Sequence, residues 1–112
     1  MSDLAARECN PCRGGVAPLA GAELRRWHEE LGNGWQLVDD HQLEKTYRFA
    51  DFRAALAFTN RVGALAEEVG HHPEIRLAWG RVHLTIYTHK IDGLADADFI
   101  WAAKADRLLP AG

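Results

Sequence analysis

The sequence lacks any apolar run near the ~20 residues that a membrane-spanning helix needs, and its first residues show no basic-then-apolar leader. The chain is therefore expected to stay in the cytoplasm, away from membranes. An excess of positive charge is missing too: 13 Lys and Arg stand against 16 Asp and Glu, for a net charge of -3 and a pI near 6.0. That balance offers no broad surface for phosphate backbones, so direct binding of nucleic acid is disfavoured. Cysteine is scarce. Cys9 and Cys12 form one CxxC with no second pair and no strand-then-helix context, which fits neither a zinc ribbon nor a thioredoxin-like site. Residues 1–18, polar and carrying Gly and Pro, read as a flexible N-terminal tail, and no internal repeat is evident from residue identities.

What is present suits one ordinary domain over residues 19–112. With 47% hydrophobic and 26% charged residues, 112 positions suffice for a single core. Residues 21–32 pattern as an amphipathic helix, with Leu24, Trp27, His28 and Leu31 on one face and Gly32-Asn33-Gly34 ending it. His28 reads as a packed residue. Two strand candidates follow, residues 35–38 and 43–49, joined by a turn that contains His41. On the second, Leu43, Tyr47 and Phe49 share a side with Lys45, which must snorkel or reach a partner.

Residues 51–69 form the next helix. Asp51 is a good N-cap, and Ala55, Phe58, Val62, Leu65 and Ala66 recur at helical spacing. Gly70 supplies a left-handed residue, and Pro73 forces His72 out of the α region, so His71 and His72 sit where the chain leaves the helix. If the last turn reaches His71, Glu67 lies four residues upstream on the same face and can orient it. Two apolar runs then flank Gly80-Arg81, which suits a type II′ hairpin with Trp79 opposite Val82, Leu77 opposite Leu84 and Ile75 opposite Ile86. In that register six apolar residues, Trp79 included, share the core face, while His83, Thr85, Tyr87 and His89 point the other way.

A last helix spans about residues 95–109, with Asp96 and Asp98 in its first turn, where the helix dipole favours acids. Phe99, Ile100, Trp101, Ala102, Ala103, Ala105 and Leu108 make it apolar on more than one side, which suggests burial against a second subunit and hence a homo-oligomer. The order α-β-β-α-β-β-α implies an α+β fold: a four-stranded antiparallel sheet with three helices packed on one face.

Taken together, Glu67, three residues, His71-His72-Pro73, five residues, Trp79, nine residues, His89, eight residues and Asp98 resemble the signature of the pterin-4a-carbinolamine dehydratase family. Shorter phrases extend the resemblance over about residues 21–109, among them Leu43-Glu44-Lys45, Phe49-Ala50-Asp51-Phe52, Thr88-His89 and Gly93-Leu94. The resemblance implies a dehydratase that uses neither metal nor cofactor and removes water from 4a-hydroxytetrahydropterin, giving quinonoid dihydropterin. It further implies a cytoplasmic homodimer or homotetramer whose ligand is a small pterin.

Carried over by position, His71, His72 and His89 are the catalytic histidines, the first and last as an acid/base pair and His72 mainly binding the pterin. Glu67, Pro73, Thr88 and Asp98 bind or orient: Glu67 holds His71, and Asp98 holds one side of the site. Imidazoles titrate near neutrality, as such an elimination requires. Ile75 stands where many relatives have a tryptophan beside the pterin, and Ala95 where Ser or Thr usually caps the last helix. Two other readings remain open. One is a zinc module built on the same three histidines; the other is a dimerisation partner using the apolar last helix.

Overall fold

A computed structural model describes residues 4–7 and 17–109. Cys9 and Cys12 lie outside them. Three helices, α1 (Gly21–Leu31), α2 (Phe52–Val69) and α3 (Asp96–Asp106), pack on one face of a four-stranded antiparallel sheet, so the expected α+β class and element order are observed. The strands are β1 (Gln36–Val38), β2 (Gln42–Arg48), β3 (Glu74–Ala78) and β4 (Arg81–Ile86), in spatial order β1-β2-β4-β3.

Strand alternation divides the sheet cleanly. Leu43, Tyr47, Val82, Leu84 and Ile86 are buried under the helices, where they meet Phe58 and Val62 of α2 and Phe99 of α3. Glu44, Thr46, Arg48, Arg76, Arg81, His83 and Thr85, at the intervening positions, face away from the helices.

Two expectations need correction. The β3–β4 turn is Trp79-Gly80, with Leu77 opposite Val82 and Ile75 opposite Leu84, a slip of two residues from the register expected. Neighbouring β2 fixes it: Phe49 N–H donates to the Gly80 carbonyl at 2.9 Å, and a Cβ on residue 80 would lie 2.9 Å from the Phe49 carbonyl oxygen. Because the slip is even, the apolar face is preserved, but Trp79 falls at the hairpin tip, 69% exposed rather than in the core.

The second correction concerns α3. Its flanks are covered within the chain by α1 and by a 3-10 turn at Leu4–Ala6, where Leu4 is 1% exposed and Lys104 Nζ donates to the Ala5 carbonyl at 2.8 Å. Trp101, Phe99 and Ile100 are thereby buried with no second subunit, so the all-round apolarity of α3 does not argue for one. The same contacts show that part of the segment expected as a tail is docked.

Lys45, expected to snorkel or reach a partner, reaches Asp106 on α3. The Lys45 ammonium lies 2.7 Å from Asp106 Oδ1, which also accepts from the Tyr47 hydroxyl at 2.6 Å, while Trp35 Nε1 donates to Oδ2 at 3.1 Å. Burial and this carboxylate push the Tyr47 phenol far above its usual pKa. One carboxylate of α3 thus satisfies three largely buried polar groups, one from the residue before β1 and two from β2.

Candidate active site

The exit from α2 separates the two histidines. Gly70 is left-handed (φ 70°, ψ 30°), and both its N–H and that of His71 return to the Ala66 carbonyl, at 2.9 and 3.2 Å. This turn folds His71 inward, where it is 6% exposed, and Pro73 leads the chain into β3. Glu67 therefore does not orient His71, as α-helical spacing had suggested. It pairs instead with the outward His72, Nε2 to Oε2 at 2.5 Å, and both side chains stay largely exposed.

His71 is held by Asp98. Its Nε2 lies 2.6 Å from Asp98 Oδ1, and the carboxylate is 0% exposed. The second oxygen, Oδ2, accepts from Thr88 Oγ1 and from Ala95 N–H, each at 2.8 Å. Asp98 thus caps α3 from within, supplying what Ala95 cannot. An ionised carboxylate only accepts hydrogen bonds, so the proton in the 2.6 Å contact belongs to His71 Nε2. In the neutral ring, Nδ1 then carries the lone pair. Nδ1 has no partner among the described residues and is not among the sealed polar atoms.

His89 follows Thr88 directly, opens a 3-10 turn (His89–Ile91) beyond the end of β4, and is exposed. Thus Asp98 ties the inner histidine to the residue preceding the third one. His72 and His89 line one cavity of about 260 Å³ whose floor includes Thr85, Tyr87, Glu44 and Arg76. The sequence-derived residues separate into a buried set (His71, Thr88, Asp98) and an outer set (Glu67, His72, His89), with Pro73 between His72 and β3.

Sequence reasoning passed over Tyr87 and His41. The Tyr87 ring centroid lies 4.2 Å from His89 on one side and 4.4 Å from His41 on the other. His41 is more than a turn residue: its Nε2 contacts Asp92 Oδ1 at 2.8 Å and its Nδ1 meets Gln42 at 2.8 Å, and those bonds, Asp92 first, raise its pKa above 6.5. Alternation had already placed Tyr87 on the face of His83 and His89; nothing in the sequence pointed to His41 as its support. His28, expected to be packed, bonds the Trp35 carbonyl at 2.6 Å.

Among the described residues no three His, Cys, Asp or Glu side chains converge as metal ligands would, which leaves the zinc reading without a ligand set there. No described helix is long and apolar enough to cross a membrane.

The family described as "Pterin 4 alpha carbinolamine dehydratase" matches residues 17–108. The chain belongs to that family. It is 57% identical over 108 residues to a protein of Rubrobacter xylanophilus, covering 96% of this chain and all of that one, and 46% identical to one of Alkaliphilus metalliredigens, covering 96% of each. Both are named "Putative pterin-4-alpha-carbinolamine dehydratase". Among solved structures, a transcriptional coactivator/pterin dehydratase from Brucella melitensis superposes with a TM-score of 0.76 at 31% identity, over 83% of this chain and 99% of that one. A pterin dehydratase-like protein identified as a RuBisCO assembly factor in the alpha-carboxysome gives 0.61 at 25% identity, over 73% and 96%. Some fold relatives of this chain thus carry descriptions that go beyond a dehydratase.

Proposed function

We propose that this protein is a 4a-hydroxytetrahydropterin dehydratase, releasing water and quinonoid dihydropterin and so supporting tetrahydropterin recycling. The carrying observation is the arrangement of histidines: His72 and His89 share one cavity, and Asp98 bridges His71 to Thr88 beside it. In the reaction the C4a–O bond breaks, its oxygen leaves as water after gaining a proton, and the adjacent ring N–H loses one as the C=N bond forms. His71, with Nε2–H committed to Asp98, presents a lone pair on Nδ1 that takes the nitrogen proton. His89 protonates the leaving oxygen. His72, steadied by Glu67, hydrogen-bonds the pterin, with Pro73 setting its direction. Positioning dominates, because the elimination proceeds slowly even unaided.

Rapid-mixing absorbance of the carbinolamine tests this. Wild type should accelerate its decay equally with and without chelator, and His71→Ala and His89→Ala should each lose at least about a hundredfold in kcat/KM. A decay rate indifferent to folded wild-type enzyme would end the proposal.

The expected homodimer or homotetramer remains part of this reading, but its supporting surface moves from α3 to α2, where Phe52 and Leu56 are 44% and 40% exposed one helical turn apart. Leu56→Glu should shift sedimentation toward monomer. An unchanged distribution would exclude that face.

A further inference from the structure

The open face of the sheet is electrically divided along its length. Near the histidines, Glu44 and Glu74 flank Thr85 in direct cross-strand register; at the hairpin end, Arg48 stands directly opposite Arg81. Like charges directly opposed across an antiparallel pair are destabilising. Neither arginine has a carboxylate partner among the described residues, so the chain carries this cost without internal compensation. One register step inward, Arg76 is opposite His83.

These side chains line a second cavity, of about 390 Å³, bounded by Arg48, Arg81, Arg76, His83, Thr46 and Glu44. Its single carboxylate is already engaged: Glu44 accepts from Gln42 at 2.5 Å and meets His83 Nε2 at 2.8 Å, and these bonds hold its pKa below 4.5. Arg76 is 3.5 Å from Glu74, outside this cavity. Glu44 and Arg76 are also walls of the cavity that contains His72 and His89. The two hollows therefore adjoin along Glu44 and Arg76, with His72 and His89 in one and the unpaired guanidinium groups of Arg48 and Arg81 in the other.

We propose that the arginine end binds the phosphate of a phosphorylated pterin side chain whose ring lies at the histidine end. This rests on the dehydratase reading for the ring, and on Arg48, Arg76 and Arg81 for the tail. Four strand steps along β4 separate Thr85 from Arg81, about 13 Å at the rise of a strand. A bare three-carbon side chain stops short of that distance; a terminal phosphate lengthens it to about 8 Å, a remainder that long guanidinium side chains reaching back along the face can cover. Guanidinium forks match phosphate oxygens in pairs, and a multiply charged anion suits a hollow with three arginines better than a single carboxylate would.

The test uses the full chain and three probes, with affinity read by calorimetry. These are a dihydropterin with a hydroxylated three-carbon side chain, the same molecule phosphorylated at its terminal hydroxyl, and inorganic diphosphate. Wild type should bind the phosphorylated pterin at least about tenfold more tightly than the plain one, with an advantage that shrinks as salt is added. The double variant R48Q/R81Q should lose that advantage and keep its affinity for the plain pterin.

Equal affinities for the two pterins in wild type, or an advantage that survives in R48Q/R81Q, would overturn the tail site and leave the dehydratase reading standing. Arginine-dependent binding of diphosphate alone, with the two pterins equal, would mark a site for free anions and also overturn it. If neither pterin binds, both readings fall together. Arg48 and Arg81 are exposed strand residues, so a cooperative unfolding transition of the variant serves as its folding control.

Discussion

Replacing Asp98 by Asn separates the orientation of His71 from its presence. The carboxylate forces the Nε2–H tautomer, leaving the Nδ1 lone pair as the proposed base. In Asp98→Asn, the amide oxygen in the place of Oδ2 can still accept from both Thr88 Oγ1 and Ala95 N–H, as Oδ2 does. The amide NH₂ then faces His71 Nε2 across what was a 2.6 Å contact. A donor there requires Nε2 to accept, so the proton moves to Nδ1 and the base is lost. The analogous change beside the imidazole of a serine-protease triad costs about 10⁴ in kcat. Here a loss of about 10²–10⁴ is expected, bounded below by the uncatalysed elimination.

Stability should fall by only about 1–3 kcal/mol, since the cavity shape is unchanged and one charge-assisted bond becomes neutral. Asp98→Ala would be less informative, because it strands three donors at once. The assay is carbinolamine decay by rapid mixing, paired with a urea melt and with ¹⁵N chemical shifts of the His71 ring to read the tautomer. A folded Asp98→Asn protein with kcat/KM within about threefold of wild type would refute the reasoning, as would an unchanged tautomer.

Three further outcomes follow from the same geometry. Gly80→Ala should cost about 1–3 kcal/mol in urea unfolding, because the new methyl group meets the Phe49 carbonyl oxygen at 2.9 Å; no loss would contradict the observed turn. Asp106→Ala should cost about 3–5 kcal/mol by leaving the half-buried Lys45 uncompensated and the Tyr47 and Trp35 donors unpaired, while activity per folded molecule stays within about twofold. In pH titrations of stability, Glu44 should contribute above pH 4.5 and lose that contribution as pH falls through its depressed pKa. His41 should contribute below pH 6.5 and lose it as pH rises through its elevated value. Asp92 is 89% exposed, so the His41 effect should be below about 1 kcal/mol, and Asp92→Asn should flatten that alkaline arm.

Much of this molecule was legible in its sequence because its signals are local. Asp51 and Gly70 bound α2, the two-residue alternation gives the core face of both hairpins, and the spacing from Glu67 to Asp98 marks the family. The misreadings share a physical origin. Gly80-Arg81 and Trp79-Gly80 both satisfy the apolar pattern, since an even slip keeps every side chain on its face; the deciding contact comes from Phe49, thirty residues away. Helical spacing placed Glu67 beside His71, but the left-handed Gly70 ends the helical twist one residue too early for that. The apolar flanks of α3 suggested a second subunit because nothing local announces that Leu4 will pack there. Lys45 was recognised as needing a partner, yet only folding could name Asp106.

The dual service of Asp98 has a consequence for how the pocket comes into being. The same carboxylate that aims an imidazole also begins a helix and secures the end of a strand, so none of the three can be set without the others. On the proposed reading the pocket takes shape together with the fold, and a pterin arriving later meets an imidazole already aimed.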